Sequence, residues 1–315
     1  MTNKQKILIF GGSGQDGRIL TDLYSSDGAS VVAIGRKFNP KSTKRKYGVK
    51  RLILDLSQTN IFDLLSHEQP DVIIYAAAYH GSSGFIYEET IDDSFVINVK
   101  VPTQILEYCK NNLFVKFAYF NSSKVFDFKE AKIIDEKSVR RPSCVYSLQK
   151  ELTYKAIDYY RNKHNVLAFN FWLFNHESSY RASTYFIPMI ISTLRASIAG
   201  QTVKQQINTL DFYCDWGIAH DYMKMVKKIL QMPIADDFIL ASGCTLSGRE
   251  LVSDLFEAFG LDYRKHIFEM SAPTKIDPIR WKVDISKVKR IYKENMTSIN
   301  NFCLREVMEK NEKTR

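Results

Sequence analysis

Gly11-Gly12-Ser13-Gly14-Gln15-Asp16-Gly17 follows directly on the apolar run Lys6-Ile7-Leu8-Ile9-Phe10. A short apolar run that ends in clustered glycines and leads into a helical pattern reads as a strand, a tight turn and a helix N-terminus. Glycines let such a turn close sharply and approach a phosphate, and the first helical N–H groups then face the anion. The spacing fits G-x-x-G-x-x-G through Gly11, Gly14 and Gly17, and also G-x-G-x-x-G from Gly12. In this context both predict a dinucleotide pyrophosphate against Gly11, Gly14, Gln15, Asp16 and Gly17.

Working outward, the runs 6–10, 30–34, 51–54, 72–77 and 115–121 read as strands, and 166–171 and 238–241 as two more. Helical spacing follows Gly17 and Asn60 and recurs over 92–110 and 147–162. This alternation predicts an α/β fold: a Rossmann-type, doubly wound parallel sheet. After Asn175 the rhythm breaks. The expected division is a cofactor-binding part over 1–174, completed by about 207–247, and a smaller C-terminal α/β substrate-binding region from 175–206 and 248–315. The last dozen residues, rich in Lys, Glu and Asn, are expected to fray.

Composition narrows the class. Of 315 residues 45% are hydrophobic and 25% charged, which suits a globular protein with a sizeable core. No apolar stretch is long enough to span a bilayer and no leader is evident, so a cytoplasmic protein without membrane partners is expected. Cys109, Cys144, Cys214, Cys244 and Cys303 are scattered and no metal-ligand cluster stands out, so reduced thiols and no metal are expected. The net charge of +9 raises nucleic acid as a partner, but the densest run, 41–50, has no recognition motif beside it. Nucleic-acid binding is not expected.

Beyond the turn, the end of the second strand carries Arg36-Lys37 and no acid. A base there meets the 2′-phosphate of NADP, whereas an acid would meet the ribose of NAD, so NADP is favoured and NAD stays open. An ordinary solvated pair is the alternative. Asp55-Leu56 ends the third strand, where the Asp can hydrogen-bond adenine, and Ala76-Ala77-Ala78 ends the fourth, where small side chains admit a cofactor. Tyr146-Ser147-Leu148-Gln149-Lys150 sets Tyr146 and Lys150 one helical turn apart on one face. Such a pair is common by chance, but this one follows a strand end bearing Asn121-Ser122-Ser123-Lys124.

The glycine turn, the Ser-bearing strand end and Y-x-x-x-K, in this order, resemble the extended short-chain dehydrogenase/reductase family. Gly-Gln-Asp-Gly at 14–17, Phe-Asn-His-Glu-Ser at 174–178, Asp-Trp-Gly at 215–217 and His-Asp-Tyr at 220–222 make the chain similar to the GDP-mannose 4,6-dehydratase branch over nearly its whole length. The resemblance implies that Tyr146 takes a proton from a sugar hydroxyl while hydride leaves the same carbon for the nicotinamide. It implies that Ser122 holds that hydroxyl, that Lys150 favours the phenolate and holds the nicotinamide ribose, and that Asn175 meets the substrate diphosphate. His176 reads as structural or catalytic. The family's dimers pack two helices from each subunit, here 92–110 and 147–162, so a homodimer or higher homo-oligomer is expected.

Two departures shape the expected activity. The dehydratases carry Thr-Ser-Glu at the active strand end, the Glu removing the C5 proton; here Lys124 stands in its place, although Glu177 could approach as another base. Cations that the family places around the nucleotide align with Met189, Cys214 and Thr274, leaving Arg181, Arg195 and Lys275 to meet phosphate or to be ordinary surface cations. The expected function is an NAD(P)-dependent oxidoreductase acting at C4 of a nucleotide-activated sugar, a GDP-manno-type hexose or heptose, in surface-polysaccharide biosynthesis. A 4,6-dehydratase, an epimerase and a non-catalytic nucleotide-sensing protein are the rivals.

Overall fold

The computed structural model describes residues 4–38, 48–81, 88–129, 132–270 and 280–312. In chain order the elements are β1 (Lys6–Phe10), α1 (Gln15–Ser26), β2 (Ser30–Gly35), β3 (Val49–Ile53), α2 (Ile61–Glu68), β4 (Val72–Tyr75), α3 (Ile91–Phe95), α4 (Val101–Lys110), β5 (Lys116–Ser122) and β6 (Ile133–Ile134). They continue with α5 (Val145–His164), β7 (Leu167–Leu173), β8 (Asn175–Glu177), α6 (Phe186–Ile198), β9 (Gln205–Ile207), β10 (Tyr213–Ile218) and α7 (Ala219–Ile229). The last are β11 (Asp237–Leu240), β12 (Thr245–Ser247), α8 (Gly248–Glu257), β13 (Ile267–Glu269), β14 (Lys282–Val283), α9 (Ser286–Ile291) and α10 (Ile299–Glu312).

Seven strands form one parallel sheet in the order β11-β7-β5-β4-β1-β2-β3. The order reverses beside β1, so the crevice at the carboxyl ends of β1 and β4 is the topological switch point. The central strands are apolar on both faces because helices cover both: Ile7, Ile9, Ile74 and Phe171 face the α1 and α7 side, and Leu8, Phe10, Ile73 and Phe117 the α2 and α4 side. A third apolar cluster joins α6, α8 and α10 with β10, around Ile190, Leu194, Trp216, Leu251, Phe256 and Val307. Its small sheet, β12-β10-β8, meets the large one where β7 passes into β8 through Phe174 alone.

Several boundaries differ from the sequence expectation. α1 starts at Gln15 rather than after Gly17, β4 ends at Tyr75 so that Ala76-Ala77-Ala78 lies just past it, and α5 starts at Val145, placing Tyr146 in its first turn. The helical run expected over 92–110 is interrupted by a π turn, Val96–Lys100. Of the last dozen residues, expected to fray, those as far as Glu312 are helical in α10, because Phe302, Cys303 and Val307 pack into the third core, and 313–315 lie outside the described residues.

Candidate active site

The glycine turn takes its shape from lack of room. Gly11 has φ +85°, and a Cβ there would come within 2.7 Å of the Ala77 nitrogen; one on Gly17 would come within 2.2 Å of the Gly11 carbonyl oxygen. Each must therefore be glycine for β1, β4 and α1 to close on one another. Gly14 caps α1 with no side-chain hydrogen bond, which leaves the first-turn N–H groups open to an anion.

The cleft above this turn has two halves that share Gly11, Gly14, Ala76 and Ala78. One is a cavity of about 730 Å³ lined by Arg36, Lys37, Asp55, Leu56 and Ala77 as well. Hydrogen bonds from the Ser57 backbone N–H (2.9 Å) and hydroxyl (2.8 Å) hold the Asp55 carboxyl below its ordinary pKa and fix its direction. Arg36 and Lys37 are exposed at this rim, and the Arg36 charge adds to that lowering. These residues suit the adenosine end of a dinucleotide whose diphosphate rests on α1.

The other half brings together Gln15, Asp16, His80, Ser122, Lys124, Tyr146, Lys150, Asn175, His176 and Arg181. Lys150 is 1% exposed and donates to the Phe120 carbonyl at 2.7 Å; burial pushes its pKa down to about 7. Its ammonium lies 4.5 Å from the Tyr119 ring centre and 5.7 Å from that of Tyr146. The Asn121 carboxamide accepts from the Ser122 backbone N–H at 2.7 Å and donates to Asn170, which holds the strand end in place. The Ser122 hydroxyl oxygen accepts from the Lys124 N–H at 3.2 Å, leaving its own hydrogen to donate outward.

Two positioning residues, His80 and Asn98, had no signal in the sequence, and a third feature was legible residue by residue but not as a pairing. His80 stacks on Tyr146 with ring centres 4.4 Å apart and planes at 13°. Burial of that face, then the charges of Lys124, Lys150 and Arg181, lowers its pKa to about 4, so the ring is neutral near pH 7. Asn98, fully buried on the π turn, accepts from the Tyr79 N–H (2.9 Å) and donates to the Tyr79 carbonyl (3.1 Å) and to Gln149 (2.8 Å). That network ties the segment after β4 to the helix bearing Tyr146 and Lys150. π turns often mark functional sites, but an Asn inside an apolar helical run gives no such warning.

The third is the pairing of Asp16 with His176. The imidazole meets both Asp16 carboxylate oxygens, at 3.0 and 3.1 Å, and the Phe174 carbonyl at 2.7 Å. Burial alone would raise the Asp16 pKa and lower that of His176, but their mutual attraction wins and each shifts the other way.

The remaining sequence candidates divide. Asn175 is exposed to the cleft and donates to Cys214 Sγ at 3.0 Å. Arg181 lines the cleft but leans on Glu177 (3.5 Å) and over the Tyr185 ring (4.3 Å). Glu177 is buried and does not line either half. Arg195 turns away to Glu306. Lys275, Thr274 and most of the basic run at 41–50 fall outside the described residues. No group of metal ligands occurs among the described residues, and none of their helices is long and apolar enough to cross a membrane.

A dinucleotide cleft at the switch point of such a sheet, with a buried lysine one turn beyond a tyrosine at its inner end, is the site of an extended short-chain dehydrogenase/reductase, an NAD(P)-dependent enzyme class that acts on nucleotide sugars. Within that class, the family model described as GDP-mannose 4,6 dehydratase matches residues 8–300, and the chain belongs to this family. The GDP-mannose 4,6-dehydratase of Sinorhizobium fredii (strain HH103) is 27% identical over 274 residues, covering 83% of this chain and 78% of that one. The enzyme of the same name from Vibrio cholerae serotype O1 is 27% identical over 273 residues, covering 82% and 73%. Among solved structures, UDP-glucose 4-epimerase of Thermotoga maritima with UDP-glucose has a TM-score of 0.82 at 15% identity, covering 99% of this chain and all of that one. dTDP-glucose 4,6-dehydratase of Bacillus anthracis in complex with NAD has a TM-score of 0.80 at 16% identity, covering 99% and 97%.

Proposed function

We propose that this protein oxidises or reduces C4 of a GDP-linked sugar of manno type, a hexose or heptose, with NADP preferred over NAD, and that the reaction stops at the 4-keto sugar. The observation that carries this reading is that Ser122, Tyr146 and Lys150 meet in one half of the cleft while its sole carboxylate among the described residues, Asp16, is held by His176. Ser122 donates to the C4 oxygen. Tyr146 takes the hydroxyl proton, its phenolate favoured by the Lys150 ammonium. A nicotinamide bound beside them supplies the acceptor for the C4 hydride. Eliminating water across C5 and C6 would need a further base beside C5. Lys124 is exposed and cationic there, and Glu177 is engaged by Arg181.

Family membership supports the GDP preference, whereas Met189 and Cys214 offer no charge to the nucleotide. The reading includes the two-part division, supported by the separate apolar core of α6, α8 and α10. It also includes a cytoplasmic homodimer or larger homo-oligomer serving surface-polysaccharide synthesis. Ile91, Phe95, Leu148 and Leu152, exposed apolar residues of α3 and α5, support the association.

Incubating the purified protein with NAD or NADP and a panel of GDP-, UDP- and CDP-sugars, followed by mass spectrometry, tests the reading. A product two hydrogens lighter, with reduced cofactor, is expected. A product lighter by one water with no net reduced cofactor identifies a dehydratase instead. An unchanged mass with inverted C4 identifies an epimerase, and no turnover with any sugar points to a sensing role.

A further inference from the structure

Lys124 is the one cation of the catalytic half whose side chain has no partner among the described residues. Lys150 donates to Phe120, His176 to Asp16, and Arg181 rests against Glu177 and Tyr185. The Lys124 backbone is pinned to Ser122 by the 3.2 Å hydrogen bond, so the lysine belongs to the end of the site where the C4 hydroxyl is held. An unpaired ammonium in a concave wall attracts an anion. The diphosphate of a nucleotide sugar leaves the ring at C1, opposite C4, and does not supply that anion at this end. The neighbouring carbon C5 bears C6, which is a carboxylate in a hexuronate.

We infer that Lys124 pairs with a C6 carboxylate and that the preferred substrate is a nucleotide hexuronate; this rests on the C4 reading of the site. The chemistry is consistent throughout. Oxidation transfers hydride from C4 to the nicotinamide and the hydroxyl proton to Tyr146, leaving a 4-keto uronate. Such a sugar has no C6 hydroxyl to eliminate, which accounts for a catalytic half without a free carboxylate base.

Steady-state rates with GDP-mannose against GDP-mannuronate, and UDP-glucose against UDP-glucuronate, test this in the wild type, Lys124→Gln and Lys124→Arg. The wild type is expected to favour the uronate of at least one pair in kcat/KM by roughly ten- to a hundredfold, the size of one charge-assisted hydrogen bond. Lys124→Gln loses that preference, mainly through KM, and Lys124→Arg retains most of it. Because Lys124 is exposed, neither substitution endangers the fold. Turnover of the neutral sugars with equal or higher kcat/KM, or a preference that survives in Lys124→Gln, overturns the inference and leaves the C4 reading standing. Turnover of neither sugar in either pair refutes the C4 reading and the inference together.

Discussion

His176 lies across Asp16 with its Nε2 3.0 Å from the carboxylate, while its Nδ1 donates to the Phe174 carbonyl at 2.7 Å. A carbonyl and an ionised carboxylate both only accept, so the ring carries both protons and the pair is imidazolium and carboxylate. Gln15 donates to the His176 carbonyl and accepts from Ser178, at 3.1 and 2.8 Å. The start of α1 is thus latched to β8, the strand that presents Asn175. The imidazolium also offsets an acid that would otherwise sit at the helix N-terminus proposed to receive the diphosphate.

Breaking this pair leaves a buried charge without its partner. Asp16→Asn and His176→Gln are each expected to cost about 3 kcal/mol, and the double variant less than the sum, as read by denaturant unfolding. The pH dependence follows from the two shifts. His176, raised above 6.5, contributes fully below that pH and progressively less as pH rises through its folded value; Asp16, lowered below 3.8, contributes above that pH and is lost as pH falls through its folded value. The gap in melting temperature between wild type and either variant should be widest between about pH 4 and 6.5 and shrink towards alkaline pH. A gap that widens there contradicts the charged pair.

Tyr146→Phe removes the proposed proton acceptor and little volume. Turnover is expected to fall by roughly 10²–10⁴, with cofactor affinity unchanged in calorimetric titration. Near-normal turnover would show that another group takes the proton.

With Lys150 lowered to about 7, the Tyr146 and Lys150 pair holds two protons below that pH and one above it. The reactive arrangement of the one-proton state has that proton on Lys150 and the phenolate on Tyr146, so kcat/KM for C4 oxidation should rise about tenfold per pH unit and level off near pH 7. Lys150→Met is expected to shift the rise towards the ordinary phenol range near 10 and to lower the plateau rate. A flat profile for the wild type between pH 5.5 and 7 would contradict the coupling.

Arg36 stands beside Asp55 at the end of the cleft proposed for the adenosine. NADP is expected to bind more tightly than NAD, and Arg36→Ala to weaken NADP by about tenfold while changing NAD little, the loss of one cation-to-phosphate contact. Tighter NAD binding by the wild type would place the Arg36 charge in solvent.

Local physics made much of this protein legible from its residues. Apolar runs of four to seven residues separated by helical patterns can bury both faces only in a parallel sheet with helices on each side, so the seven strands and their parallel, doubly wound arrangement were accessible, whereas their order was not. Gly11 and Gly17 announced the turn because no other residue fits there, and the one-turn spacing of Tyr146 and Lys150 follows from helix geometry alone. Tertiary structure decided what depends on contacts between distant segments. Asp16 and His176 are 160 residues apart and become one charged pair only because β7 runs straight into β8 above α1. His80 meets Tyr146 only because a π turn carries Asn98 to Tyr79, and α10 is ordered because the third core receives its apolar side. A side chain's type and spacing set what it can do locally, but the partner that fixes its charge and direction is chosen by packing, and packing is a property of the whole fold.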